Sequence, residues 1–155
     1  LDKLKQKSLN ENLINQLGST IIISKNIIKL FLKQNFGSLI LLSSIMGLNN
    51  PKFETYRGTN MSSPIEYSAI KSGIISITKY LAKYYSKKNL KINCVSPGGI
   101  KNNLPKRFIK NYKKQCNSKG LLDPGDVVNI INFLLSEKSN SISGQNFVID
   151  DGYSL

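Results

Sequence analysis

A chain of 155 residues with 40% hydrophobic side chains is long enough for one domain with a sizeable core and too short to expect two. The formal charge of +13 raises nucleic-acid binding, but the basic residues are nearly all lysine and carry no nucleic-acid motif, so that class is set aside. With no histidine, His-based triads and His-ligated zinc are excluded; Cys94 and Cys116 lack metal or redox spacing, and no apolar run approaches a bilayer span.

These features predict a reduced, cytoplasmic setting with no metal, no nucleic acid and no membrane among the partners. A chain that begins at Leu1, already inside a helical pattern, reads as a piece of a longer protein.

In chain order, residues 10–34 predict a helix. Leu13, Leu17, Ile21, Ile28 and Phe31 recur near helical spacing, and Gly37 is placed to end the element. Ser38 to Ser44 is an unbroken apolar run closing on two hydroxyls, which suits a strand buried on both faces of a parallel sheet. Ser43 and Ser44 then lie at a strand's carboxyl end, where ligands collect in open α/β sheets. Asn49 to Ser62 is a long polar loop of the kind that is functional inside a compact domain.

Ser63 to Asn89 reads as one long helix. Ser63 and Glu66 are spaced as a capping box with Pro64 at the first helical position. Ile70, Ile74, Ile77, Leu81 and Tyr84 predict its core face. Tyr67 and Lys71, four residues apart, project from neighbouring turns on one side. A phenol beside an ammonium is a candidate proton-transfer pair. Phenols ionise near ~10, and an adjacent positive charge favours the phenolate.

Lys91 to Val95 predicts a short strand, broken by S-P-G-G at Ser96 to Gly99. Asn102 to Gly120 is a basic, weakly periodic lobe with short helices. Asp123 and Pro124 open another helix as N-cap and first residue, with Val127, Val128, Ile131, Leu134 and Leu135 on its buried face. Gln145 to Ile149 is the last strand, followed by Asp150-Asp151-Gly152. Helices alternating with strands predict a parallel α/β sheet.

Four ordered segments together resemble the short-chain dehydrogenase/reductase family: G-S-L-I-L-L-S-S-I-M-G (Gly37 to Gly47), Y-S-A-I-K (Tyr67 to Lys71), I-N-C-V-S-P-G-G-I (Ile92 to Ile100) and S-G-Q-N-F-V-I-D-D-G (Ser143 to Gly152). A Y-x-x-x-K spacing alone carries little weight. All four segments in family order carry much more. The resemblance covers nearly the whole chain but only the later part of the family's domain. It implies an incomplete Rossmann-like, doubly wound parallel sheet: one partial domain over residues 1–155, without the N-terminal glycine-rich nucleotide-binding part.

The resemblance also implies an NAD- or NADP-dependent oxidoreductase interconverting an alcohol and a ketone. Tyr67 is then the acid/base, and Lys71 its electrostatic partner and a ligand of the nicotinamide ribose. Ser44 polarises the substrate oxygen. Pro97, Gly98 and Ile100 lie against the nicotinamide, and the Asp150–Gly152 turn is structural. Without a glycine-rich loop the choice between NAD and NADP stays open. The family's active-site Asn falls on Gln16, with Asn15 beside it, and Asn102 stands where the family often has Thr.

The interval from Ser44 to Tyr67, with Tyr56 to Met61 and Pro64 to Tyr67, is similar to a subgroup associated with flagellin and surface-sugar modification. That implies a small, sugar-derived substrate, with Arg57 a candidate for meeting a carboxylate or phosphate, although a solvated arginine is the plainer reading. The family's habit of pairing subunits implies a homo-oligomer of the longer protein. A non-catalytic remnant serving as an oligomerisation or interaction module is the alternative.

Overall fold

The computed structural model describes residues 4–155. Three parallel strands form one sheet in sequence order: β1 (Gly37–Leu42), β2 (Leu90–Pro97) and β3 (Asn146–Ile149). Gly37 pairs with Leu90 and Leu42 with Val95. On the other side of β2, Cys94 pairs with Asn146 and Pro97 with Ile149. Parallel neighbours need crossovers, which α3 (Ile65–Tyr84) and α5 (Pro124–Leu135) supply. The helix α2 (Ser19–Gln34) leads into β1.

The sheet is covered on both faces, as the apolar run of β1 requires. Ile28, Leu39, Leu41, Ile70, Ile74 and Ile92 form one core with α2 and α3. Val95, Leu122, Val127 and Leu134 form a second core with α5. The doubly wound α/β expectation is met, with β1 left as an unpaired edge among the described residues.

The first helical segment starts earlier than its periodicity indicates and is not uniform. A short helix α1 (Gln6–Asn12) runs through a π-helical turn (Leu13–Gly18) into α2. The wide turn displaces carbonyls from their usual partners. The hydroxyls of Ser19 and Thr20 donate to the Asn15 and Gln16 carbonyls, at 2.5 and 2.6 Å. Adding a residue to a helical turn rotates the following stripe by about 100°. Leu13, before the wide turn, falls off the face that Ser24 and Ile28 bury after it, and Ile21, also expected in the core, is exposed as well. The segment ends at Asn35 in a left-handed conformation (φ 64°) rather than at Gly37. Gly37 instead opens β1, where an added Cβ would lie 2.2 Å from the Phe31 ring.

Three further expectations are corrected. The Ser63–Glu66 capping box does not form: α3 begins at Ile65 with Pro64 as N-cap and no side-chain cap bond. Glu66 turns instead toward α1, its Oε1 accepting from Asn12 Nδ2 at 3.3 Å. Tyr84 is exposed, stacked on Tyr80 at the end of the helix beyond the sheet. On α5, Val127 and Leu134, seven residues apart, face the core, whereas Val128 and Leu135 sit one residue further round and are exposed. The start of α5 is as expected, with the Asp126 carboxylate accepting from the Asp123 N–H at 2.8 Å.

The basic stretch after β2 folds around α4 (Lys106–Lys113), whose Phe108 and Tyr112 are buried beside Ile45, Leu121 and Tyr153. Asp151 holds this lobe against the C-terminal turn. Its carboxylate accepts from the Ser118 N–H and hydroxyl and from the Gly120 N–H, at 3.1, 2.9 and 2.6 Å. The Gly120 N–H, chief among these donors, holds the Asp151 carboxyl below the usual carboxylate range. A depressed folded-state value gives stability that is present at neutral pH and lost as pH falls through that value. Asp151→Asn is therefore expected to lower the urea midpoint at pH 7 and to flatten its decline below pH 4. Parallel acid limbs in the variant and the parent would contradict this.

Candidate active site at the carboxyl edge of the sheet

Lys71 and Tyr67 occupy successive turns of α3, and the Lys71 Nζ lies 5.4 Å from the centre of the Tyr67 ring. Both side chains are partly buried. Burial lowers the Lys71 ammonium below its ordinary value, with the Cys94 thiol beneath it partly opposing the shift. Among the described residues Lys71 has no ion-pair partner, so its charge faces the Tyr67 ring uncompensated.

The carboxyl end of β1 is tied to the same turn of α3. The Ser43 hydroxyl donates to the Lys71 carbonyl at 2.7 Å. The next hydroxyl does something different: Ser44 Oγ caps the short 3-10 turn Ile45–Gly47, accepting from the Met46 N–H at 3.2 Å. Because a hydroxyl has one hydrogen and its acceptor side is engaged there, the Ser44 O–H remains available to donate. Gly47 closes the turn. An added Cβ would lie 2.6 Å from the Lys71 carbonyl carbon and 2.7 Å from the Ser72 nitrogen, so only glycine permits this approach. Ser44 thus stands on the turn that abuts the Tyr67–Lys71 pair.

The carboxyl end of β2 supplies a second edge. Ile100 forms an isolated parallel bridge with Leu122, in which Lys101 N–H donates to the Leu122 carbonyl and Leu122 N–H to the Gly99 carbonyl, each at 2.8 Å. In a parallel bridge the central residue points its own N–H and C=O the other way. The Ile100 pair finds no partner among the described residues. The preceding amides are already used, Gly98 N–H on the Ile149 carbonyl at 2.8 Å and Gly99 N–H on the Tyr112 hydroxyl at 2.6 Å. Space is tight at both positions, most of all at Gly98, which also lies against the Asp150 backbone. An added Cβ at Gly98 would meet the Tyr112 hydroxyl at 2.6 Å, and one at Gly99 would meet Leu121 at 2.6 Å. Tyr112 stacks on Tyr153 at 4.4 Å, and burial pushes its phenol far up, keeping it neutral. The Asp150–Gly152 turn locks this support, as Asp150 accepts from the Gly152 and Ser154 N–H groups at 3.0 and 2.7 Å.

Two neighbours were not singled out by sequence. Tyr56, in the long loop, packs against the buried cluster of Ile45 and Phe108 at the Ser44 turn. Burial pushes its phenol up, the Ser63 hydroxyl opposes that, and Tyr67 adds to it. Glu66 is buried beside Asn12, and among the described residues its Oε2 and the Ser68 Oγ have no hydrogen-bond partner. Both atoms belong to residues lining an open cleft of about 910 Å³ between α1 and the loop before α3. The side chains of Gln16 and Asn15 make no hydrogen bond to Lys71 among the described residues.

The family model described as enoyl-(acyl carrier protein) reductase matches residues 2–154. The chain belongs to the short-chain dehydrogenase/reductase family. Among its relatives, post-translational flagellin modification protein A of Campylobacter coli is 44% identical over 94% of this chain and 57% of that protein. The 7alpha-hydroxysteroid dehydrogenase of Bacteroides fragilis is 34% identical over 90% of this chain and 52% of that protein. A short-chain dehydrogenase of Leptospira borgpetersenii, solved with bound NAD+, superposes with a TM-score of 0.93 at 31% identity, covering 100% of this chain and 59% of the other. The chain therefore spans little more than half the length of these short-chain dehydrogenase/reductase relatives. The resemblance carried by the four segments, including the flagellin-modification likeness, is borne out, and so is the Rossmann-like fold.

Three substitutions, two at glycines and one at a tyrosine, test the geometry without reference to catalysis. Gly47→Ala is expected to cost about 1–3 kcal/mol by forcing the Ser44 turn off α3. Gly125→Ala, in the first turn of α5 with nothing within 4 Å of the added carbon, is expected to raise the urea midpoint slightly. Tyr112→Phe leaves the Gly99 N–H unpaired and is expected to cost about 1–3 kcal/mol in the same measurement.

Proposed function

We propose that this chain is the catalytic and substrate-side portion of an NAD- or NADP-dependent oxidoreductase that interconverts an alcohol and a ketone on a small, sugar-derived molecule. On this reading residues 1–155 are one partial domain, and the pyrophosphate of the dinucleotide is held by residues outside it. Among the described residues β1 is an unpaired edge with Leu42 exposed on it, which supports a further strand joining the sheet there. The relative named for post-translational flagellin modification motivates the substrate class.

The observation that carries the proposal is the Lys71 ammonium over the Tyr67 ring, on the helical turn that Ser43 and Gly47 hold against the Ser44 turn. In the reductive direction the Tyr67 hydroxyl gives its proton to the substrate oxygen, and in the oxidative direction the phenolate takes it back. Lys71 stabilises that phenolate by its charge, which nothing else among the described residues neutralises. Ser44 donates its free hydroxyl hydrogen to the same oxygen and polarises the carbonyl.

The dinucleotide, when bound, supplies or accepts the hydride. The residues present fit its nicotinamide end. The outward N–H and C=O of Ile100 match the acceptor and donor of a carboxamide, Pro97 and Gly98 shape the backbone leading to them, and Lys71 serves the ribose hydroxyls.

The apolar side chains left exposed on α2 (Ile22, Leu30) and the stacked Tyr80 and Tyr84 on α3 support pairing of two subunits through these helices. Among the described residues no helix is long and apolar enough to cross a membrane. With Cys94 and Cys116 both free thiols, we assign the protein to the cytoplasm.

The test uses the full-length protein with NAD or NADP and a panel of sugar-derived alcohols and ketones. Tyr67→Phe is expected to lower kcat by at least ~100-fold with little change in nucleotide affinity. Lys71→Met is expected to lose both rate and nucleotide affinity. An active Tyr67→Phe enzyme would overturn the roles assigned here. A reading frame with no glycine-rich strand–loop–helix upstream of Leu1 would overturn the division of the domain.

A further inference from the structure

Arg57 and Arg107 are the chain's only arginines, against a background of twenty lysines among 22 basic residues. They are fifty residues apart, yet both line one small pocket of about 180 Å³ together with Lys114, Glu54, Asn111 and Gln115. This convergence is built by the fold. The Asn111 Nδ2 donates to the carbonyls of Glu54, Thr55 and Arg57, at 3.5, 3.2 and 3.0 Å, and so clamps the long loop onto α4. Beneath the loop, Thr55 and Tyr153 share a buried hydroxyl bond of 2.9 Å. Gly58, in a left-handed conformation (φ 74°), brings bare backbone against the Arg107 side chain, where an added Cβ would meet Nε at 3.4 Å.

Among the described residues neither guanidinium is in an ion pair, although Glu54 borders the pocket; the ion pairs that form involve Lys101 and Lys119. Three cationic residues and a single carboxylate thus line one small concavity. Guanidinium forks match carboxylate and phosphate oxygens in pairs, which a lysine cannot do. The pocket also adjoins the candidate active site. Tyr56, next to Arg57, packs on Phe108, next to Arg107, with ring centres 5.5 Å apart, and both belong to the apolar cluster that holds Ile45 and Met46 of the Ser44 turn.

We infer that Arg57, Arg107 and Lys114 form an anion subsite for a phosphate or carboxylate group. Resting on the dehydrogenase reading, we assign that group to the substrate, distal to the carbon that reacts at Tyr67. The substrate class narrows accordingly to acidic or phosphorylated sugar derivatives.

The direct test is calorimetric titration of the full-length protein with inorganic phosphate and with malonate, at fixed ionic strength. Saturable one-to-one binding is expected, weakened at least tenfold in R57Q/R107Q. The double variant K87Q/K88Q removes the same charge from another exposed stretch and is expected to change binding less than twofold. Tighter binding of phosphate identifies a phosphorylated group, and tighter binding of malonate a carboxylate. Equal weakening in the two double variants, or no saturable binding in the parent, overturns the site. Should R57Q/R107Q melt early, R57Q alone, on an exposed loop position, repeats the comparison with an intermediate loss expected. In turnover, R57Q is expected to raise KM for an anionic substrate and leave kcat unchanged. Retained phosphate binding without any hydride transfer would sink the enzyme reading while leaving the anion subsite standing.

Discussion

The candidate site depends on a backbone contact more than on any of its functional side chains. The turn after β1 comes so close to α3 that Gly47 has no room for a Cβ, and the Ser43 hydroxyl bonds the Lys71 carbonyl across the same junction. Main-chain contact of this kind fixes strand end and helix turn as one body. Rotamer choice alone would leave Ser44 free to drift relative to Tyr67 and Lys71, and positioning errors of an ångström are costly in proton transfer. The two adjacent serines are thus unlike in role. Ser43 is committed to the backbone of α3. Ser44 is committed on its acceptor side only, which leaves it a hydrogen to give.

The second edge of the site is braced in the same manner from below. Tyr112 and Tyr153 stack at 4.4 Å, and the Tyr112 hydroxyl takes the Gly99 N–H. The C-terminal turn at Asp150 to Gly152 holds Tyr153 in place, and Asp151 returns to the lobe at Ser118 and Gly120. The chain's last residues therefore support the β2 edge where Ile100 turns its unused peptide groups outward. With the flanking amides of Gly98 and Gly99 already bonded, Ile100 offers an edge of defined hydrogen-bonding pattern.

Much of this frame was legible in the sequence because its signals are local. The buried strand Ser38 to Ser44, the Y-x-x-x-K turn, the Pro97–Gly98 break and the Asp123–Pro124 helix start each state their geometry over a few residues. What was not legible depends on contacts between distant segments. Ser63 and Glu66 have the right spacing for a capping box, but Glu66 is drawn to Asn12, 54 residues away. Leu13 fits the core stripe in sequence, but the π-helical turn that follows sets it off the face that α2 buries. Gly47 reads as loop punctuation, and only the arrival of α3 shows why glycine must stand there. The convergence of Arg57 and Arg107 is equally hidden, since the Asn111 clamp that creates it has no periodic signature.

The charge imbalance follows the same division between local and tertiary cause. Of nine acidic residues, Asp150 and Asp151 are spent on backbone N–H groups, Asp126 on the start of α5, and Glu66 is buried. The total of +13 is compositional, 22 lysines and arginines against nine carboxylates, and a total by itself identifies no partner. Charge becomes recognition only where the fold gathers it into a concavity and withholds the neutralising partner. Arg57 and Arg107 meet both conditions at one pocket, whereas solvated lysines such as Lys87 and Lys88 meet neither.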